Sequence, residues 1–189
     1  MAGKYGIPLI KKCTLDIADL RLIGSDKIRI TDKSTNILKA VHFYVEDNKL
    51  DRYYNQPQNY LPRLAQYPHV LTPDYSLYTD MPIALQINNT FKSRWCGAYW
   101  QDNGLSVIPS VSWSTEASYE FCFDGLEQGT VVAISTVGGL TNKDSFLKGY
   151  FEMKTRIKPK QTLCFGKPFA EMGDEVVFVN YLKTTGRKK

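Results

Sequence analysis

The chain lacks any long apolar run. No stretch of its 189 residues approaches the roughly 18 consecutive apolar residues that a membrane-spanning helix needs. Its first dozen residues also lack the sustained apolar segment of a secretory signal. We therefore expect a cytoplasmic protein with no membrane partner.

Cysteine and histidine are scarce. The four cysteines are far apart and form no CxxC pair: Cys13, Cys96, Cys122 and Cys164. This spacing predicts neither a disulfide scaffold nor a zinc cluster, and we expect reduced, mostly buried thiols. His42 and His69 have no neighbouring Ser, Cys or carboxylate at a nucleophile–base spacing, which argues against a Ser/His/Asp hydrolase or a His-based metal site.

What the chain does have is a repeating pattern. About five times, a short apolar, β-branched run is followed by a polar turn and an amphipathic segment. The runs are residues 41–45, 69–72, 105–109, 130–134 and 161–165, and residues 176–179 form a candidate sixth strand. Such alternation is typical of a parallel sheet with crossover helices, in which ligands bind beyond the carboxyl ends of the strands.

We predict an α/β protein with a five- to six-stranded, mostly parallel sheet and crossover helices. A sequential strand order would give a truncated, barrel-like sheet, and a reversal would give a doubly wound one. Residues 1–40 break the pattern and are expected to form a β-rich cap or edge hairpin, with an edge strand over residues 28–31. With the body at 41–168 and a strand and basic tail at 169–189, we expect a single domain.

The helices carry their own signals. The clearest is expected to be capped by Asp80, with Ile83, Ile87, Phe91 and Trp95 recurring on one face. A shorter helix is expected to begin at residue 114 or 115. A last one should open after Asn142 and end at Pro159.

Charge is unevenly distributed along the chain. Residues 41–140 carry five Lys/Arg against ten Asp/Glu, whereas residues 1–40 carry eight against four and residues 141–189 carry eleven against five. The densest basic positions lie toward the C-terminus: Lys154, Arg156, Lys158, Lys160, Arg187, Lys188 and Lys189. They are candidate contacts for nucleic-acid phosphates. The alternative is a solvated helix face whose lysines suit the helix dipole.

Two carboxylates follow adjacent predicted strands. Asp47 comes after the first apolar run and Asp74 after the second. Together they could bind Mg²⁺ or Mn²⁺, which prefer oxygen ligands, or act as a catalytic acid/base pair. The alternative is that both cap turns or helices, as Asp often does.

Other strand ends carry candidate ligand-binding residues. Thr136, Gly138 and Gly139 precede a helix and could present backbone N–H groups to a phosphate, with Lys167 at the next strand end as a cation. The loop matches neither GxxxxGK[ST] nor GxGxxG, so an ordinary tight turn is the alternative. Four further candidates follow the second and third strands: Tyr75, Tyr78, Ser112 and Trp113. The aromatic ones could stack on unpaired bases or serve in packing.

Several blocks resemble a known family. They are residues 41–47, 70–82, 94–101, 108–113 and 132–138. Over roughly residues 40–168 the chain resembles a domain-of-unknown-function family found in phages, plasmids and integrative elements of Gram-positive bacteria. The resemblance implies an accessory protein of a mobile element in a bacterial cell, serving replication, transfer or counter-defence. It brings no catalytic residues.

Three functions stay open from the sequence. The preferred one is a phage or mobile-element accessory protein that binds nucleic acid or a host protein. The second is a metal-assisted phosphoryl hydrolase or nuclease that uses Asp47 and Asp74. The third is a binder of nucleotide-like small molecules, and no feature of the sequence fixes an oligomeric state.

Overall fold

The fold is a series of short parallel strands covered by helices. In a computed structural model of the chain, residues 3–137 and 142–180 are described. Within them the strands are β1 (Leu22–Gly24), β2 (Ala40–His42), β3 (Val70–Leu71), β4 (Val107–Ile108), β5 (Val132–Ser135), β6 (Thr162–Phe165) and β7 (Val176–Val179). The α-helices are α1 (Asp51–Asn55), α2 (Pro57–Leu64), α3 (Ile83–Asp102) and α4 (Lys143–Ile157).

The strands follow one another in space as they do in the sequence. One sheet has the order β1-β2-β3-β4 and a second has the order β5-β6-β7, and every neighbouring pair is parallel. A parallel bridge between Ser110 and Ala133 joins the two sheets. At this seam the Val111 N–H donates to the Ala133 carbonyl at 2.8 Å, and the Ala133 N–H donates to the Pro109 carbonyl at 2.8 Å. The predicted α/β class is confirmed.

The sequential order produces a curved sheet rather than a doubly wound one. In a flat sheet, four strand spacings of about 4.8 Å would separate β2 from β6 by about 19 Å. Instead, the ring of His42 lies 4.9 Å from that of Phe165, and the Tyr44 ring stacks on Phe165 at 4.3 Å. Within the described residues β1 and β7 do not pair, so the barrel-like curvature does not close.

Alternating residues of the strands fill two kinds of core. Leu71 of β3 and Ile108 of β4 point into the concave interior, where they join Leu163 of β6. Their neighbours Val70 and Val107 instead pack outward against α1, α2 and α3. A third cluster lies between β5, β6 and α4. Both faces of the sheet are therefore buried, as is typical of parallel sheets, except at the edge strand β7, where Phe178 is exposed.

The N-terminal region differs from the expected hairpin. Its strand β1 pairs parallel to β2 and adds a seventh strand to the expected five or six. The segment 28–31, which alternates as an edge strand would, is not a strand. Alternation over four residues is a weak signal, and no strand in the described part of the chain pairs with this segment.

Two helix predictions also need correction. Helix α3 begins after Pro82, without the predicted Asp80 cap, and it buries Gln86, Thr90 and Arg94 rather than the apolar face that contains Ile83. The expected third helix is only a 3₁₀ turn at Glu116–Glu120. Helix α4 matches its prediction more closely, because the Asn142 side chain caps it by accepting from the Ser145 N–H.

Among the described residues, no helix is long and apolar enough to cross a membrane.

The guanidinium of Arg94 occupies the seam between the sheets. It is fully buried, and it donates to the carbonyls of Ser110 at 2.8 Å, Cys122 at 2.9 Å and Asp124 at 3.2 Å. Burial lowers the pKa of Arg94 to about 10, so the group remains protonated at neutral pH. A buried cation of this kind is tolerated because its donors are hydrogen-bonded.

Replacing Arg94 by Met should destabilise the fold. Met has a similar length but no donor, so three carbonyls lose hydrogen bonds to a charged group, each worth about 1.5–3 kcal/mol. We expect the free energy of unfolding to fall by about 3 kcal/mol or more, measured by urea denaturation. Lys148→Met on the exposed face of α4 is the control and should leave stability nearly unchanged. Equal stability of the two variants would contradict the role assigned to Arg94.

Candidate functional site

A cavity of about 670 Å³ lies at the carboxyl ends of the strands. Its walls come from the loops after β3 and β4, the end of β5 and the first turn of α4. The lining residues are Asp74, Tyr75, Ser76, Leu77, Tyr78, Thr79, Asp80, Val111, Ser112, Trp113, Ser114, Ser135, Asn142, Ser145 and Phe146. This volume is within the range of about 300–1,000 Å³ that small-molecule sites occupy.

Helix α3 holds the two loops that form most of the cavity wall. The buried Gln86 amide donates to the Met81 carbonyl at 2.8 Å and to the Tyr78 carbonyl at 3.2 Å, and its oxygen accepts from the Ser114 hydroxyl at 2.6 Å. Asn89 donates to the Ser76 carbonyl at 2.8 Å. The cavity walls are thus fixed to the core. Sequence reasoning missed Gln86, because apolar periodicity says nothing about a buried amide.

Of the two predicted carboxylates, Asp74 is the one that lines the cavity. Burial, followed by the negative charge of Asp47, raises the pKa of Asp74 to about 7, against the opposing effects of the Ser112 hydroxyl and the Arg94 charge. Side chains whose pKa lies near neutrality in a cleft are candidate functional groups.

Asp47 is used differently. Its carboxylate accepts from the Ser76 N–H at 3.1 Å and from the Ser76 hydroxyl at 3.0 Å, and it does not line the cavity. Asp47 therefore holds the loop after β3 and places a negative charge near Asp74. These contacts are those of the turn-capping alternative.

The aromatic candidates meet at the same cavity. Tyr78 stands at the rim and is 60% exposed, whereas Tyr75 is buried. The Trp113 indole lies 4.9 Å from the Phe146 ring and covers Gly149 of α4, where a Cβ would overlap the indole. The interior glycine of α4 thus makes room for a tryptophan wall.

The predicted phosphate-binding loop after β5 contributes less to the cavity. The Thr136 hydroxyl donates to the Lys167 carbonyl at 3.0 Å, and neither residue lines the cavity. Gly138 and Gly139 lie outside the described residues. The described neighbours of this loop, Ser135 and Asn142, do line the cavity, although sequence reasoning had not selected them.

The basic run lies at the other end of the sheet. Helix α4 starts beside the carboxyl ends of the strands and returns toward their amino ends, so its last turn is remote from the cavity. There Lys154 pairs with Glu175, Arg156 pairs with Glu152 at 2.6 Å, and Lys160 donates to the Thr14 carbonyl at 3.1 Å. Lys158 is exposed at the C-cap.

The other predicted basic contacts, Arg187, Lys188 and Lys189, lie outside the described residues.

Acidic groups are the charged side chains of the cavity lining. Asp74 and Asp80 belong to it, and among the described residues that line it none is Lys, Arg or His. In the described part of the chain, no three His, Cys, Asp or Glu side chains cluster as a metal site would require. An Mg²⁺ or Mn²⁺ ion at Asp47 and Asp74 would need most of its ligands from water and hydroxyls.

These features define a parallel, open α/β protein with a ligand-sized cavity at its strand ends. The chain belongs to the family described as a domain of unknown function (DUF4417), whose model matches residues 1–182. The predicted phage-associated family is confirmed, and the match extends well beyond the expected residues 40–168.

Two phage proteins are similar to the chain. The "Gene 1 protein" of Mycobacterium phage L5 is 41% identical over 131 residues, which is 68% of this chain and 57% of that protein. The "Gene 1 protein" of Mycobacterium phage D29 is 40% identical over 131 residues, which is 68% of this chain and 48% of that protein. The chain thus spans about half the length of these curated relatives. No solved structure matches it.

The carboxyl of Asp74 should make stability depend on pH. Between its usual pKa of 3.8 and about 7, the folded protein keeps a proton that the unfolded chain releases, so the free energy of unfolding should fall as pH rises through this range. Asp74→Asn should remove this component. The free energy of unfolding of the variant, relative to that of the wild type, should therefore rise by about 1–3 kcal/mol from pH 5 to pH 8. Urea denaturation at both pH values measures it.

Asp80→Asn, at the exposed rim of the same cavity, is the matched control. If Asp74→Asn and Asp80→Asn changed with pH in parallel with the wild type, the raised pKa of Asp74 would be refuted.

Proposed function

We propose that the protein binds a small nucleotide-like molecule in the strand-end cavity. The observation that carries this proposal is the composition of the cavity: aromatic walls, several hydroxyls and the carboxyl groups of Asp74 and Asp80 converge on a space of about 670 Å³. Sites for small ligands combine apolar or aromatic walls with a few fixed polar groups in this way.

Each part of such a ligand has a matching wall. The Trp113 and Phe146 rings offer a surface for a planar base, since bases stack on aromatic side chains. Ser112 and Ser145 offer hydroxyls that donate to and accept from sugar or base. The loop after β3, which Gln86 holds, keeps Tyr78 at the entrance.

Asp74 gives the cavity its chemistry. A carboxyl group with a pKa of about 7 exists in both protonation states near neutrality, so it can donate as well as accept a hydrogen bond. The same property suits a general acid or base. We propose Asp74 as the residue that orients the ligand and exchanges protons with it.

The contacts of the basic run support a polynucleotide interface less well. Lys154, Arg156 and Lys160 already bind carboxylates or a carbonyl at the end of the molecule remote from the cavity. In this proposal the phage role, in replication, transfer or counter-defence, consists of sequestering or processing a small molecule.

Isothermal titration with the common nucleosides and their 5′-monophosphates tests the proposal. We expect at least one compound to bind with 1:1 stoichiometry. Gly149→Ala should weaken that binding about tenfold or more, because the new methyl displaces the Trp113 indole that forms the wall. Lys148→Ala, on the same helix but exposed, should bind normally. Failure of every compound to bind the wild type would refute the proposal.

A metal-assisted phosphoryl hydrolase or nuclease is the second candidate. One observation favours it: the Asp47 charge is close enough to raise the pKa of Asp74, so a divalent cation could be shared by both carboxylates. In that case millimolar Mg²⁺ or Mn²⁺ should raise the Tm of the wild type but not that of the Asp47→Asn, Asp74→Asn double variant. An equal response of the two proteins would exclude this candidate.

A further inference from the structure

We propose that the cavity selects a nucleoside whose base carries an exocyclic amino group and that it rejects phosphorylated forms. This inference rests on the proposed function and narrows it to one class of ligand. It follows from the negative side chains that line the cavity and from the nearby cations, which bind other partners.

The carboxylate of Asp74 can accept further hydrogen bonds besides the one from the Ser112 hydroxyl. The side chains that line the cavity beside it are hydroxyls and aromatic rings, and Asp80 adds a second negative charge at the rim. An amino group on a base donates N–H bonds, and carboxylates accept from such groups on cytosine. Asp74 therefore matches an amino-bearing edge better than a carbonyl-bearing one.

Phosphate finds no matching cation among the described residues of the cavity wall. The buried cation Arg94 donates instead to the Ser93 hydroxyl and to the carbonyls of Ser110, Cys122 and Asp124. Lys143 opens helix α4 beside the cavity, but its ammonium pairs with Glu171 at 2.5 Å and lies over the Phe169 ring. A phosphate would also meet the negative charges of Asp74 and Asp80, which costs free energy at short range.

Some backbone N–H groups at the N-terminus of α4 are also already hydrogen-bonded. The Asn142 side chain accepts from the Ser145 N–H at 3.3 Å, which occupies one of the donors that would otherwise face an anion. The side chains of Asn142 and Ser145 both line the cavity, where they add neutral hydrogen-bonding groups rather than charge. The wall therefore suits a neutral sugar better than a charged phosphate.

Matched ligand pairs test this inference. Cytidine and uridine differ in an amino and an oxo group at one position, as do adenosine and inosine. Isothermal titration at pH 8, where Asp74 is mostly ionised, should show the amino member of at least one pair binding about tenfold or more tightly than its partner. The 5′-monophosphate of that nucleoside should bind more weakly than the nucleoside itself.

The variant Asp74→Asn should remove the preference within the pair, because an amide can face either an amino or an oxo group. Lys148→Ala, on the exposed face of helix α4 and outside the cavity lining, serves as the control and should keep the preference. Should Asp74→Asn fail to fold, the comparison of the pairs on the wild type still decides the question.

Equal binding of amino and oxo partners, or tighter binding of the monophosphate, would overturn the proposed selectivity. The proposed binding of nucleotide-like molecules in the cavity would still stand. Binding by none of the compounds would overturn both the selectivity and the proposed function.

Discussion

The position of one buried guanidinium sets the arrangement of everything around it. Arg94 lies where the two sheets meet, and its three carbonyl partners belong to the end of β4 and to the loop before β5. A desolvated cation must be hydrogen-bonded, so these segments have little freedom to move relative to α3. Ser110, one of the acceptors, also forms the bridge to Ala133. The seam and the cation therefore depend on each other.

The strands were predictable because short apolar, β-branched runs bounded by polar turns leave a strong signal. The run 161–165 becomes β6 at Thr162–Phe165, and 176–179 coincides with β7. The sequential order could not be read from these runs, since each would look the same in a doubly wound sheet. It depends instead on contacts between distant residues, such as the stacking of Tyr44 on Phe165.

Helix α3 shows where periodicity misleads. An apolar series at i, i+4 predicts a buried face that contains Ile83, yet that residue is 40% exposed and the helix buries Gln86 and Arg94 instead. Polar side chains are buried here because the loops at the strand ends offer carbonyl partners. That information lies in the tertiary structure, not in the local pattern. The segment Glu116–Glu120 follows helix-start residues, yet it forms only a 3₁₀ turn, because start signals do not determine how many turns follow.

The location of the candidate site was more predictable than the identity of the residues that form it. The rule that ligands bind beyond the carboxyl ends of parallel strands placed Asp74, Ser112 and Trp113 together, and all three line the cavity. Their roles stay predictions. The same rule could not show that the Thr136 hydroxyl turns to the Lys167 carbonyl, because a hydroxyl's partner depends on local geometry rather than on position along a strand.

Helix α3 both fills the core and holds the loops of the cavity, and this affects how the cavity can vary among related proteins. Arg94 of this helix is buried in the core. One to two helical turns before it, the side chains of Gln86 and Asn89 donate to backbone carbonyls of the loop after β3. These bonds end on backbone carbonyls, so they do not depend on the exposed side chains of the loop after β3, unlike the bond from the Ser114 hydroxyl to Gln86. Exposed positions such as Tyr78 and Thr79 can therefore differ in a related protein, and alter the entrance of the cavity, while the scaffold stays the same.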